Sequence, residues 1–190
     1  MIIFARVFLS ALIFCSSFAM VADAMVADAK VADAMAADNF GTVVAGSLYR
    51  SGAPTGFPDM KVTVGDNGVK TVINLEDGWN DQFPIERERI WCERNRVTFL
   101  NPALSPFSKP KTAVIRQIVE MVMAAEKPVL VHCLYGKDRT GLVIAAFRML
   151  KHGWSLEQAY DEMVGYGHNP SGWLGDWKSV LEEIAREPRG

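Results

Sequence analysis

The stretch "KPVLVHCLYGKDRTG", Lys127 to Gly141, sets a cysteine between an apolar run and a glycine-containing loop, with an arginine six residues further on. Pro128 to His132 is short, apolar and β-branched on both faces, as a buried strand should be. Beyond the loop, Leu142, Ala145, Ala146, Met149 and Leu150 recur on one helical face. The segment therefore turns from a buried strand into a helix. A loop in that setting can aim successive backbone N–H groups inward and, with the helix N-terminus, cradle an anion. Gly136 supplies backbone freedom for the turn, and Arg139 offers a planar, permanently charged fork that holds two phosphate oxygens. A thiol kept for packing needs no such arginine. A thiol kept as a nucleophile gains from it, because the positive field favours the thiolate. Cys133 thus reads as a nucleophile placed for in-line attack on phosphorus. Thr140 reads as a hydroxyl donor that helps the sulfur leave, and His132 as a brace beneath the loop.

Working outward, strand-like and helix-like segments alternate. "SLYRSG" (47–52), "VKTVINL" (69–75) and "VTFL" (97–100) read as strands. Residues 85–96 read as a charged helix. Residues 111–125 place Ile115, Ile118, Val119, Val122 and Met123 on one helical face. Ser155 and Gln158 have the spacing of a capping box that opens a helix through Met163, and 176–186 reads as a last helix. This alternation predicts an α/β fold: a mostly parallel central sheet flanked by helices, with the Cys133 loop between a central strand and a helix. Ligands of such sheets bind beyond the carboxyl ends of the strands.

His-Cys-x5-Arg-Thr-Gly in this strand-to-helix setting resembles the phosphate-binding loop of the protein tyrosine phosphatase superfamily. The likeness extends from "LYRSGAP" (48–54) through "KTVINLED" (70–77) to "WSLEQAYDEM" (154–163). It is closest to the dual-specificity branch, including the atypical plant and fungal enzymes and bacterial phosphatases whose loop reads GKDRTG. The resemblance implies hydrolysis of phosphate monoesters through a cysteinyl-phosphate, without a metal or other cofactor. Cys133 would be the nucleophile and Arg139 the phosphate clamp. The backbone of Leu134, Tyr135, Gly136, Lys137, Asp138 and Arg139 would form the substrate cradle.

The chain also departs from that pattern. Dual-specificity enzymes usually carry an aspartate general acid on the loop before the helix that leads to the nucleophile strand. Here that loop, "LNPALSPFSKPK" (100–111), contains no Asp, Glu or His, yet a leaving alkoxide still needs a proton. Asp138 is the first candidate for the acid, with Asp77 and Asp81 behind it. His168, in "YGHNPSG", reads as a solvated loop residue near the rim. The alternative to an enzyme is a phosphoanion-binding pseudophosphatase, in which the missing loop acid prevents turnover. Lys137, with Lys109 and Lys111 on the loop expected to face it, would ring a shallow site with positive charge. Such a rim predicts activity on inositol phosphates or phosphoinositides at least comparable to that on phosphotyrosine substrates.

The chain has 190 residues, 49% of them hydrophobic, enough for one domain with a substantial core. With 20 Lys and Arg against 22 Asp and Glu, the charge balance argues against nucleic acid as a partner. Arg6 followed by an apolar stretch, too short for a membrane span of about 20 residues, reads as a secretory signal over 1–24 with cleavage after Ala24. The repeat "VADAMVADAKVADAMAAD" reads as a low-complexity tether covering 25–39, and the catalytic domain as 40–190. These features predict an exported protein, periplasmic or secreted, with no span in the mature chain. Cys92 reads as buried packing, with a disulfide to Cys133 open as an oxidised form. Three scattered histidines and no paired cysteines argue against zinc.

Overall fold

The computed structural model describes residues 37–79, 84–171 and 177–186. Five strands form one sheet: β1 (Gly41–Val44), β2 (Leu48–Ser51), β3 (Thr71–Asn74), β4 (Thr98–Leu100) and β5 (Val129–His132), in the order β1-β2-β5-β3-β4. The last four run parallel, and β1 pairs antiparallel with β2 across a register shift. This is the mostly parallel α/β arrangement expected from the alternation of elements. All four residues of β3 and of β5 are buried, as strands covered on both faces must be.

Six helical elements surround the sheet. They are α1 (Phe57–Met60, continued by a π-helical segment Lys61–Asp66), α2 (Ile85–Arg94), α3 (Thr112–Ala124), α4 (Asp138–His152), α5 (Leu156–Gly165) and α6 (Lys178–Arg186). On one face of the sheet, Val129 and Val131 pack with Ile115, Ile118 and Val119 of α3, Leu142 and Ala145 of α4 and Ile184 of α6. On the other, Leu130 and Val72 meet Met60, Val64 and Cys92. α5 opens with both bonds of the capping box: Ser155 Oγ accepts from the Gln158 N–H, and Gln158 Oε1 accepts from the Ser155 N–H.

Three expectations need correction, and two elements were not expected. Met123, placed on the apolar face of α3, is 45% exposed, and the buried stripe ends at Val122. α2 stops at Arg94, and Arg96 has a positive φ of 59° that no helix accommodates. β1 and α1 carried no sequence signal. β1 is a four-residue edge strand opened by glycine, and α1 contains a proline, β-branched residues and Gly65, which have low helix propensity. Burial of Met60 and Val64 against Val72 and Leu130 of the sheet holds the latter helical regardless. Finally, Ala37 to Asn39 belong to the domain and not to a tether. The Ala37 N–H donates to Thr63 Oγ1 at 2.8 Å, and Asp38 O accepts from the Gly52 N–H at 2.5 Å. The remainder of the signal and tether, residues 1–36, lies outside the described residues, as do Asp81 and Asp176.

Candidate active site

In the sheet register, His132 of β5 stands between Ser51 of β2 and Asn74 of β3. Three parallel strands therefore end at one level, and Cys133 is the first residue past that edge. The loops leaving β2 and β3 flank it on either side.

The loop after Cys133 is shaped by what holds its carbonyl groups. Leu134 O accepts from the Ala53 N–H at 3.0 Å, Tyr135 O from Asn39 Nδ2 at 2.9 Å and Gly136 O from Arg50 Nη2 at 2.6 Å. Three successive carbonyls are thus tied outward. In a planar trans peptide the N–H points opposite to the C=O, so the N–H groups of Tyr135, Gly136 and Lys137 turn toward the hollow of the loop. The first turn of α4 adds its own free N–H groups there. Gly136 is required twice over. Its φ is +66°, and a Cβ at this position would stand 2.6 Å from the backbone carbonyl of Ser51.

Arg50 gives this arrangement a second cation. It is fully buried behind the loop, with its guanidinium carbon 3.6 Å from the centre of the Tyr166 ring. Burial depresses its proton affinity, while Tyr166, Glu162 and Cys133 act in the opposite sense. Behind Cys133 lies a buried histidine–glutamate pair. His132 Nε2 is 2.8 Å from Glu88 Oε1, and Asn74 Nδ2 donates to Glu88 Oε2 at 2.7 Å. Burial opposes charge on the imidazole, but Glu88, Glu76 and the Cys133 backbone together act the other way, and the His132 pKa lies above its ordinary value. His132 reads from sequence as a brace for the loop; its side-chain hydrogen bond goes instead to a helical glutamate distant in sequence, and its Nδ1 has no hydrogen-bond partner among the described residues.

The pocket above the loop, about 200 Å³, is lined by Cys133, Leu134, Tyr135, Asp138 and Arg139 together with Trp79, Pro106 and Trp177. Five of the predicted site residues therefore meet around one cavity. Arg139 is buried, and its Nη1 donates to Leu104 O at 3.2 Å and lies 3.7 Å from Asp77 Oδ1. Asp77 thus pairs with Arg139 and is not among the residues lining the pocket. The loop that lacks an acid contributes walls instead: Pro106 lines the pocket, and Phe107 meets Trp79 edge to face at 4.9 Å. Thr140 is fully buried, and its hydroxyl has no hydrogen-bond partner among the described residues, so no bond to the Cys133 sulfur is formed here.

The expected ring of lysines is not assembled. Lys109 pairs with Glu183 of α6 at 2.9 Å, and neither it nor Lys111 lines the pocket. Lys137 is exposed, with its stem lying against Gly167. The rim is aromatic. His168 also departs from expectation: it is buried, with Nδ1 2.6 Å from Asp138 Oδ1. Cys92 and Cys133 are both free thiols and belong to the two opposite core clusters, and burial followed by Glu88 and Glu93 pushes the Cys92 thiol up to about 12. Among the described residues, no group of three His, Cys, Asp or Glu side chains is placed to hold a metal ion, and no helix is long and apolar enough to cross a membrane.

Sequence reasoning missed Glu88, Arg50, Asn39, Trp79 and Trp177. Arg50 lies in "LYRSGAP", one of the stretches that carry the family resemblance, and that was the one available signal. The others have no local pattern, because each reaches the site from a separate element.

Residues 34–172 match the model of the Tyrosine phosphatase family. The chain belongs to that family. The dual specificity protein phosphatase TpbA of Pseudomonas aeruginosa strain UCBPP-PA14 is 30% identical over 107 residues, covering 52% of this chain and 43% of that protein. The inositol diphosphatase SIW14 of Saccharomyces cerevisiae is 38% identical over 58 residues, 30% of this chain and 20% of that protein. The matched segments thus span less than half the length of these two relatives. A crystal structure of P. aeruginosa TpbA in complex with pTyr superposes with a TM-score of 0.55 at 25% identity, covering 74% of this chain and 87% of that one. The core catalytic domain of SIW14 in complex with citrate shares the fold, with a TM-score of 0.63 at 24% identity over 80% and 87% of the two chains.

Proposed function

We propose that this member of the tyrosine phosphatase family hydrolyses phosphate monoesters through a cysteinyl-phosphate on Cys133. One observation carries the reading: Cys133, Arg139 and Asp138 line a single pocket over a loop whose carbonyls are tied outward. The thiolate attacks phosphorus in line, Arg139 and the loop N–H groups hold the phosphoryl oxygens, and the departing oxygen takes a proton from Asp138. Water then attacks the phosphocysteine, and Thr140, beside the loop, donates to the sulfur as it leaves. A pseudophosphatase would need the anion cradle but no thiol at its floor and no carboxyl on its wall. Hydrolysis of p-nitrophenyl phosphate by the full chain in the presence of EDTA tests the reading. Binding of phosphate without turnover would favour the pseudoenzyme.

Asp138→Asn tests the acid. Alkyl phosphates should lose about 10²- to 10⁴-fold in kcat/KM, whereas p-nitrophenyl phosphate, whose leaving group needs little help, should lose less than about tenfold. Equal losses on both esters would assign Asp138 to loop structure.

The substrate proposal follows from the walls. Trp79, Pro106, Tyr135 and Trp177 offer apolar and aromatic surface to whatever the phosphate is attached to. This favours the ring of phosphotyrosine over a multiply charged inositol phosphate. The counter-observation is Lys137, an exposed cation within the loop itself, and relatives named as inositol diphosphatases keep that second substrate class in view. Phosphotyrosine peptides are expected to give the higher kcat/KM, and Lys137→Ala to lower the value for inositol polyphosphates several-fold more than for the peptides. An inositol phosphate preference that survives Lys137→Ala would reverse the assignment. Export is proposed from the apolar N-terminal stretch, and cell fractionation of the full chain tests it.

A further inference from the structure

One buried cation has no part in the reaction as drawn. Arg50 is the third residue of β2, a strand paired with β5, and it is 0% exposed. Covered strand positions are normally apolar, because a charge taken out of water without a partner is costly. One of its N–H groups is used: Nη2 donates to Gly136 O at 2.6 Å. Nε and Nη1 are buried and have no hydrogen-bond partner among the described residues. The guanidinium rests on the Tyr166 ring, 3.6 Å from its centre, and a ring face answers only part of a full charge.

The carboxylates around the loop are committed elsewhere. Glu162 acts on Arg50 through its field, but both of its oxygens bond to Arg148, a cation that acts in the opposite sense. Arg139 Nη1 stands 3.7 Å from Asp77 Oδ1, and His132 is bonded to Glu88. Among the described residues, Arg50 is thus the buried cation at the loop that no carboxylate pairs with. The charge of Arg139 is partly answered before any substrate arrives, and that of Arg50 is not.

We infer that Arg50 is a positioning residue of the phosphate site, holding behind the loop a positive charge that is answered when a phosphoryl dianion binds. This rests on the reading of the loop as a phosphate cradle. Two effects carry the charge to the ligand. Gly136 O belongs to the same peptide unit as the Lys137 N–H, and a cation on the carbonyl polarises that unit. The N–H turned into the hollow becomes a stronger donor. The field also acts directly, since Cys133, Leu134 and Gly136 are buried and little water screens it. Charge at Cys133 is felt at the guanidinium, where it favours the charged form, so the pocket floor lies within reach of that field. Arg139 lines the pocket and grips the phosphoryl oxygens, whereas Arg50 does not line it and works through the loop backbone.

Arg50→Met and Arg50→Lys separate this from a packing role, because both keep an unbranched side chain and only lysine keeps the charge. Calorimetry with inorganic phosphate on the full chain is the first reading, and kcat/KM for an alkyl phosphate and for p-nitrophenyl phosphate is the second. Arg50→Met should weaken phosphate binding by about tenfold or more. It should lower kcat/KM on both esters by the same factor, because the effect falls on the phosphoryl group and not on the leaving oxygen. Arg50→Lys should bind phosphate at least about threefold more tightly than Arg50→Met. Equal phosphate affinities in the two variants, a loss below about twofold in Arg50→Met, or a loss confined to the alkyl ester each overturn the inference. Wild type that binds phosphate but cleaves neither ester would instead overturn the phosphatase reading, and the binding comparison would still decide the role of Arg50. Wild type that binds no phosphate would overturn the cradle and this inference with it. Should Arg50→Met not fold, the Arg50 Nε–H resonance of the wild type is followed by NMR as inorganic phosphate is added. A displacement that saturates at the calorimetric midpoint supports the inference, and a resonance that stays in place sinks it.

Discussion

Cys133→Ser should cut hydrolysis by at least about a thousandfold while phosphate or vanadate still binds within about tenfold of wild type. The asymmetry follows from how the site is divided. The nucleophile must be an anion, and a serine hydroxyl does not ionise in the neutral range, so the covalent step stops. The anion cradle does not depend on sulfur. Its N–H groups are aimed by Ala53, Asn39 and Arg50 acting on the carbonyls of Leu134, Tyr135 and Gly136, and the Arg139 fork is fixed by Leu104 O. Single-turnover kinetics with p-nitrophenyl phosphate and calorimetry with vanadate read the two quantities separately. Residual turnover within tenfold of wild type would exclude the cysteinyl-phosphate.

The second large effect belongs to Glu88. Its carboxylate is 2% exposed and holds the fully buried His132 through Nε2 while accepting from Asn74. Replacing it with glutamine removes the carboxylate that favours the charged form of the buried His132, and it leaves one acceptor oxygen where His132 and Asn74 had two. Breaking one partner of such a pair costs about 3 to 5 kcal/mol. The sign of the pH dependence follows from the raised pKa of His132. A raised folded value contributes stability that is fully present below the unfolded value, near 6.5, and is lost as pH rises through the folded value. The gap in denaturant midpoint between wild type and Glu88→Gln should therefore be wider at about pH 6 than at about pH 9. A gap independent of pH would mean that the pair is neutral hydrogen bonding alone. Because His132 directly precedes Cys133, the variant should also slow alkylation of Cys133 at neutral pH, a readout that lost packing elsewhere would not produce.

Much of the fold was written locally. The two-face apolar runs at 71–74 and 129–132 read as covered strands, and all four residues of each are buried. The helical stripe of α3 and the capping box of α5 were equally readable, since periodicity and a three-residue spacing are properties of contiguous sequence. The short edge strand β1 and the proline-containing α1 were not, because their conformation is imposed by neighbours and not by their own propensity.

The site divides along the same line. The residue types at 133, 136 and 139 read from sequence as a nucleophile, a turn and a phosphate fork, and they stand within a single loop. That loop's chain neighbours, Asp138 included, came with it. What tertiary structure alone decided was the environment of those groups: Asn39, Arg50 and Ala53 pulling the carbonyls outward, Glu88 hydrogen-bonded to His132 from a distant helix, Asp77 turned onto Arg139, and His168 buried against Asp138. It also took Lys109 away from the pocket to Glu183 and put Trp79, Pro106 and Trp177 on the walls. The reason is physical: a nucleophile's identity is carried by one side chain, but its charge state and the face it shows a substrate are set by groups within a few ångströms. In this fold most of those groups arrive from the ends of other strands and helices.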